Sequence, residues 1–151
     1  MLHYTEEYLC DLCEASTSHL DLEKLASKKV LVTGASGLIC SALVDQLLIW
    51  NKMHKLDMVI YAAGRSKEKM MRRFSYWGGQ DCFRFCQYDA TLPFHAESGF
   101  DYIIHGASNA SPAVYAAEPV ETMLSNFIGT QNLLNEIRQK ESRTLSLHFI
   151  K

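Results

Sequence analysis

Several things are missing from this sequence, and each absence narrows what the chain can be. No apolar run approaches the roughly 18 residues of a membrane span, and the acidic start MLHYTEEYLCDLCEAS lacks the basic end and apolar core of a secretory signal. A cytoplasmic protein with no membrane partner is expected. Charge of neither sign dominates: the net charge is −2 over 151 residues, which offers no field for nucleic acid or anionic lipid. The basic cluster Lys67, Lys69, Arg72 and Arg73 reads as the wet face of a helix, so no nucleic-acid partner is expected. An even cysteine set is missing too. Five cysteines, scattered over helix-like and strand-like segments, read as reduced thiols. Cys10 and Cys13 have metal or redox spacing, but without a second pair they read as one face of an amphipathic helix, and no metal is expected. Cys82 and Cys86 read as small buried hydrophobes. No internal repeat or low-complexity segment appears.

What is present is a globular composition, 48% hydrophobic and 21% charged, in a chain long enough to bury a real core. Its organising stretch is VLVTGASGLIC, residues 30–40. A β-branched and apolar run enters a glycine turn at Gly34, Ser36 and Gly37, and a helical pattern starts at once. Glycines at such a turn allow positive φ and close approach of a ligand. The following helix aims its unpaired N–H groups at the turn, which is how a fold binds pyrophosphate.

The remaining elements follow in alternation. Residues 1–27 read as helix, break, helix: an extension that covers the domain or contacts a second copy. A helix is expected from 37 to about 53, a strand at 58–63 and a basic helix at 66–74. A third strand is expected at 82–88, a fourth at 102–105, and a long helix from Pro119, where proline is tolerated in the first turn. Met123, Leu124, Phe127, Ile128, Leu134 and Ile137 share one face of that helix. A last strand is expected at 145–150. Right-handed βαβ units then give an α/β, doubly wound parallel sheet of Rossmann type, strand order 3-2-1-4-5, with the ligand crevice at the carboxyl ends of strands 1 and 4.

Three further places carry chemistry. At the end of strand 2, where a carboxylate would grip a ribose 2′-hydroxyl, the chain has Gly64-Arg65-Ser66-Lys67, a pair of cations suited to a phosphate. Asp89 and Ala90 close strand 3, placed to accept from an adenine amino group. His105-Gly106-Ala107-Ser108 follows strand 4, small residues along which a cofactor can lie. Residues 106–110, GASNA, also resemble a nucleophile elbow, but Pro112 disturbs the helix that should follow and no acid and histidine pair accompanies it. His105, at a strand end among apolar residues, reads as a satisfied core histidine.

Taken together, TGASGLIC, YDA, HGASNASP and SNFIGTQNLL resemble the amino-terminal half of an extended short-chain dehydrogenase/reductase. That is the family of NAD-dependent nucleotide-sugar epimerases, dehydratases and decarboxylases. Within it the chain is most similar to dTDP-glucose 4,6-dehydratase and UDP-glucuronate decarboxylase-like members, over about residues 28–151. The resemblance implies an NAD(P)-binding Rossmann domain at 28–151, and the helical extension at 1–27 lies outside it. It makes Gly34, Gly37, Leu38 and Ile39 the pyrophosphate turn, Asp89 and Ala90 the adenine contacts, and Ala107 and Ser108 the wall beside the nicotinamide ribose. Asn126 would support the active-site geometry, and Gly129 would let its helix pack closely. Ser111, Pro112 and Tyr115 would form the near edge of a nucleotide-sugar site. A homo-oligomer is expected.

The sequence departs from the family pattern in three places. Cys40 stands where the third glycine of the turn belongs, which predicts a small shift of helix against strand. Arg65 and Lys67 favour NADP, while the resemblance implies NAD. The family's catalytic Tyr-x-x-x-Lys, in which lysine and cofactor lower the tyrosine pKa so that it serves as base, is absent: none of the seven tyrosines has a lysine four positions on. The expectation is a fragment that ends before the catalytic pair and substrate domain. Alone it would bind cofactor weakly and catalyse nothing. A non-catalytic dinucleotide-binding module, sensing redox state or contacting a partner, is the alternative.

Overall fold

The computed structural model describes residues 4–16, 22–96, 98–108 and 112–139. Four parallel strands, β1 (Lys29–Thr33), β2 (Val59–Gly64), β3 (Phe83–Gln87) and β4 (Tyr102–His105), lie in the order β3-β2-β1-β4. Val30 pairs with Ile60 on one side and Tyr102 on the other, and Ile60 pairs with Phe83. This is the expected doubly wound order as far as it is described, because residues 145–150 lie outside the described residues.

Side chains alternate across the sheet and serve two cores. Val30, Val32, Ile60, Ala62 and Phe83 face α2 (Leu38–His54) and α3 (Lys67–Arg73). Leu31, Ala63 and Ile103 face the opposite core, with Leu133 of α5 (Pro119–Gln139). A short helix, α4 (Pro112–Ala117), precedes α5, in a stretch to which the sequence pattern assigns no element. No helix among the described residues is long and apolar enough to cross a membrane.

Helix α2 runs beyond Asn51 to a left-handed Lys55 at φ 52°. Asn51 does not stop it, because its amide is engaged from within the helix: it donates to the Met58 carbonyl at 2.9 Å and accepts from the Met58 N–H at 2.8 Å. The helix end is thereby tied to the start of β2.

Long helix α5 turns most of its apolar stripe away from the sheet, with Ile128 and Ile137 half-buried and Ile137 packed on the second core. Met123, Leu124, Phe127 and Leu134 are exposed, while Thr122, Gly129, Leu133 and Glu136 are buried. Close approach decides this orientation. A Cβ on Gly129 would lie 2.9 Å from the Ala90 Cβ and 3.2 Å from the Tyr88 hydroxyl, so the helix seats on its smallest residue. Glu136 can be buried there because it accepts from the Ala96 N–H at 2.9 Å, with His95 Nδ1 at 3.7 Å.

The amino-terminal helix α1 (Glu6–Ala15) packs on α2. Thr5 caps it by accepting from the Tyr8 N–H at 3.2 Å, and Glu6 and Glu7 in the first turn complement its dipole. The expected second helix of this segment is a single 3-10 turn, Leu22–Leu25. What fixes α1 is the fully buried Asp45 of α2. Its carboxylate accepts from the Tyr4 hydroxyl at 2.6 Å, the Tyr8 hydroxyl at 2.9 Å, the Trp77 indole at 2.9 Å and the Arg73 guanidinium at 2.5 Å. Burial, then the Asp45 charge, push the Tyr8 phenol up to about 12. Burial and Asp45 raise Tyr4 as well, so both phenols stay protonated donors.

This arrangement corrects two sequence expectations. Arg73 does not belong to a wet helix face: it is an almost fully buried counter-ion that also stacks over Tyr4 and Phe74. Cys82 and Cys86 are half-buried, not core residues. A buried charge left without its partners is expensive. Asp45→Ala should therefore lower unfolding free energy by about 3–5 kcal/mol, and Tyr8→Phe by about 1.5 kcal/mol, in urea denaturation followed by Trp fluorescence. A loss under about 1 kcal/mol for Asp45→Ala would show that this carboxylate does not hold the helices together.

Candidate functional site

The site begins where β1 and β4 part. Thr33 at the end of β1 is buried and serves β4 through both its oxygens. Its carbonyl accepts from the Gly106 N–H at 3.2 Å, its hydroxyl accepts from the Ala107 N–H at 3.3 Å, and the same hydroxyl lies 2.7 Å from His105 Nδ1. His105 is thus a buried, hydrogen-bonded core histidine, and burial lowers its pKa from 6.5.

Gly34 follows at φ +67°, and a Cβ there would lie 2.5 Å from the Gly106 carbonyl oxygen. Two independent reasons, conformation and space, demand glycine. The turn closes as the Gly37 N–H donates to the Gly34 carbonyl at 2.9 Å. Gly37 then serves as N-cap of α2 without a side-chain bond, so the N–H groups of the first turn keep no side-chain partner.

Cys40, at the place of the expected third glycine, is buried, and burial raises its pKa, keeping it a thiol. It fits because Gly106 has no side chain: a Cβ on Gly106 would overlap the Cys40 sulfur. The volume that one glycine normally leaves is supplied by another, across the strand boundary.

The ends of β2 and β3 form the other wall. The Gly64 carbonyl accepts from the Tyr88 N–H at 3.1 Å, and the Arg65 carbonyl accepts from the Gln87 side chain at 3.1 Å. The backbone beneath Arg65 is therefore held while its side chain is exposed. Ser66 caps α3 by accepting from the Lys69 N–H at 3.2 Å. Asp89 Oδ1 accepts from both the N–H and the hydroxyl of Thr91, at 2.9 and 2.7 Å. These two bonds, the backbone one first, hold its carboxyl below the usual range, and the charge of Arg65 helps.

All of this surrounds one cleft of about 430 Å³. Gly34, Ser36, Gly37, Leu38 and Ile39 line it from the turn, and Arg65, Asp89 and Ala90 from the second wall. Gly106, Ala107 and Ser108 line it from the end of β4. Leu38 and Ile39 are 75% and 54% exposed at its mouth. Lys67 and Asn126 are not among the lining residues. Of the candidates for a substrate edge, Ser111 lies outside the described residues, and Pro112 and Tyr115 belong to α4, where only the backbone is described. The sequence pattern does not single out Thr91, Tyr88 or Ser125, which also line the cleft. Ser125 had one local signal, its place one turn before Gly129, where α5 touches the sheet. Among the described residues no group of three or more His, Cys, Asp or Glu side chains could hold a metal ion.

The family model of the NAD dependent epimerase/dehydratase family matches residues 30–150. UDP-glucuronic acid decarboxylase 6 of Arabidopsis thaliana is 35% identical over 120 residues, covering 80% of this chain and 33% of that protein. UDP-glucuronic acid decarboxylase 1 of Danio rerio is 33% identical over 119 residues, covering 78% of this chain and 26% of that protein. The chain thus spans between about a quarter and a third of the length of these curated relatives. The UDP-Glc/GlcNAc 4-epimerase of Campylobacter jejuni superposes with a TM-score of 0.63 at 21% identity, over 80% of this chain and 36% of that one. At that identity the likeness is one of fold.

The buried His105 makes stability depend on pH. Its folded pKa lies below the ordinary 6.5, so in acid the unfolded chain binds a proton that the folded chain refuses. The stabilisation is complete above pH 6.5 and is lost as pH falls below it. The urea midpoint should decline on going from pH 7.5 to 5.5, and His105→Asn should flatten that decline. Parallel profiles for the two proteins would show that His105 does not cause it.

Proposed function

The chain belongs to the NAD dependent epimerase/dehydratase family, and on that premise we propose that it is the cofactor-binding part of an NAD(P)-dependent enzyme that epimerises, dehydrates or decarboxylates a nucleotide sugar. The observation that carries this reading is the turn at residues 34–37, which delivers the uncapped start of α2 to a cleft at the point where β1 and β4 diverge. A helix start of this kind attracts a pyrophosphate through its N–H groups and dipole. Gly37 keeps the approach open, since a Cβ there would meet only the Gly34 carbonyl, at 3.2 Å.

The other lining residues take roles by position. Asp89, already ionised and oriented by Thr91, accepts from the adenine amino group, with Ala90 beside it. Ala107 and Ser108 flank the nicotinamide ribose, and exposed Leu38 and Ile39 are covered by the bound dinucleotide. When bound, the nicotinamide supplies hydride transfer; the residues of this chain bind it, orient it and shield it from water. The decarboxylase relatives support a UDP-sugar as substrate, with Ser111, Pro112 and Tyr115 at its near edge. Asn126, adjacent to the lining residue Ser125, supports the reacting end. Because no Tyr-x-x-x-Lys pair occurs in these residues, they bind cofactor and catalyse nothing alone.

That same lack favours a second reading, a non-catalytic dinucleotide-binding module that senses redox state or binds a partner. A coding sequence that continues into a Tyr-x-x-x-Lys segment supports the enzyme, and one without it supports the module. The exposed stripe on α5, with Met123 at 63% and Phe127 at 66%, supports association with a second copy.

Two measurements test these readings. Gly37→Val should keep the fold, because φ at this position is −73°, while weakening NAD(P) binding by at least about tenfold in titration calorimetry; unchanged affinity would refute the pyrophosphate site. Light scattering at high concentration should show an oligomer that Phe127→Glu converts towards single chains. A wild-type monomer would remove the proposed homo-oligomer.

A further inference from the structure

We propose that the amino-terminal segment is a strap across α2 and α3 whose seating tightens the cleft, so that docking of α1 and binding of the dinucleotide strengthen one another. The inference rests on reading the cleft as a dinucleotide site. It adds a control on that site from residues ahead of the 30–150 family match.

The first ground is that α1 is separable. It is a helix of 10 residues, and helices of about that length are marginal in water on their own. Glu6, Glu7, Cys10, Asp11 and Glu14 are exposed, and Leu12 is the one residue of the helix that is buried. A small set of side chains seats it. Tyr4 and Tyr8 donate to Asp45, and Tyr4 also accepts from Arg73 at 3.1 Å and stacks on Tyr76 with ring centres 5.1 Å apart. Towards the other end, Gln46 of α2 donates to the Leu12 carbonyl at 3.0 Å and to the Ser16 hydroxyl at 2.6 Å. A helix held by so few groups opens at lower cost than the sheet beneath it.

The second ground is where the seat leads. Asp45 belongs to α2 and Arg73 to α3, so the strap closes over the link between these two helices. Each of them presses a side chain against a glycine of the cleft. Cys40 of α2 fills the volume at Gly106. Met70 of α3, itself buried, is seated against Gly64, where a Cβ would lie 2.8 Å from its methyl carbon. Both glycines line the cleft, and so does the first turn of α2 at Leu38, Ile39 and Cys40.

The third ground is the cost of leaving the seat empty. Without α1 the Asp45 carboxylate keeps Arg73 and Trp77 and loses both tyrosine donors. A buried carboxylate short of donors draws in water or moves towards it. Either response shifts α2 against α3, and Cys40 and Met70 carry the shift to Gly106 and Gly64. A dinucleotide that fits the seated arrangement therefore favours seating, by the same factor with which seating favours the dinucleotide.

Hydrogen exchange of the full chain, read by mass spectrometry with and without saturating NAD+ or NADP+, follows the strap directly. Protection of residues 6–15 should rise at least about fivefold on binding, the lower end of ordinary coupling between sites. Titration calorimetry reads the reciprocal effect. The double variant Tyr4→Phe with Tyr8→Phe should bind the dinucleotide at least about fivefold more weakly, and Tyr8→Phe alone should lose affinity in the same direction. Cys10→Ser, an exposed position of α1 away from Asp45, should keep wild-type affinity. In the double variant without dinucleotide, exchange should quicken at residues 38–41 and 67–70 as well as in α1. Circular dichroism shows that each variant is folded. Quickening confined to α1, or unchanged affinity in the folded double variant, overturns the strap and leaves the dinucleotide site intact. So does a wild type whose α1 exchange ignores a dinucleotide that it binds, and so does an equal loss of affinity in Cys10→Ser. A wild type that binds neither dinucleotide overturns the site itself and the strap's control of it.

Discussion

Everything at the cleft depends on one close approach between two backbones. The ends of β1 and β4 come so near that neither Gly34 nor Gly106 can carry a Cβ: one would strike the Gly106 carbonyl, the other the Cys40 sulfur and the Thr33 carbonyl. Thr33 holds the two ends together with its carbonyl and its hydroxyl. Because the ends are pinned at that separation, the turn after β1 bends sharply into α2 and the cleft opens where the loops diverge. Cys40 belongs to this knot as well. Its sulfur occupies the volume that Gly106 leaves, so a residue that looks like a fault in the glycine pattern is compensated from a strand some 65 positions away in the sequence.

A second constraint operates on the outer side of the same helix. Asp45 lies two turns along α2 from the glycine turn, and Arg73 lies at the far end of the helix that follows Arg65. Their ion pair, completed by Trp77 and by two tyrosines of the amino-terminal segment, joins α2, whose first residues border the cleft, to α3, which follows the lining residue Arg65. A carboxylate with no exposure would be costly on its own; with four donors it is satisfied, and its satisfaction requires α1 to be in place. The amino-terminal segment lies ahead of the 30–150 family match, yet it completes the polar interior of the matched region.

Much of the fold and most of the residues that line the cleft could be read from sequence. The four strands emerge from short β-branched or aromatic runs, and the turn from its two glycines. The exits of β2, β3 and β4 could be placed because a parallel sheet brings every strand end to the same edge. What escaped the reading shares one cause: pattern methods assign burial by hydrophobicity, whereas packing assigns it by fit. Helix α5 illustrates this directly. Its apolar stripe pointed to Met123, Leu124 and Phe127 as the buried face, and the sheet instead received Thr122, Gly129, Leu133 and Glu136, since a helix can come close only along its smallest side chain. Arg73 escaped for a similar reason, being one cation in a basic run whose buried partner sits 28 positions earlier.

By itself, then, the sequence determined the order of elements, the sheet's direction of winding, the place of the glycine turn and the residue types that reach the cleft. These follow from local periodicity and from the geometry of parallel strands, both of which act over short stretches of chain. The tertiary structure alone decided which face of α5 is buried, how Cys40 is accommodated, where Asp45 finds its donors, and that Arg65 reaches the cleft while Lys67 does not. Each of these depends on distances between groups remote in sequence, and no local pattern encodes how closely two backbones approach.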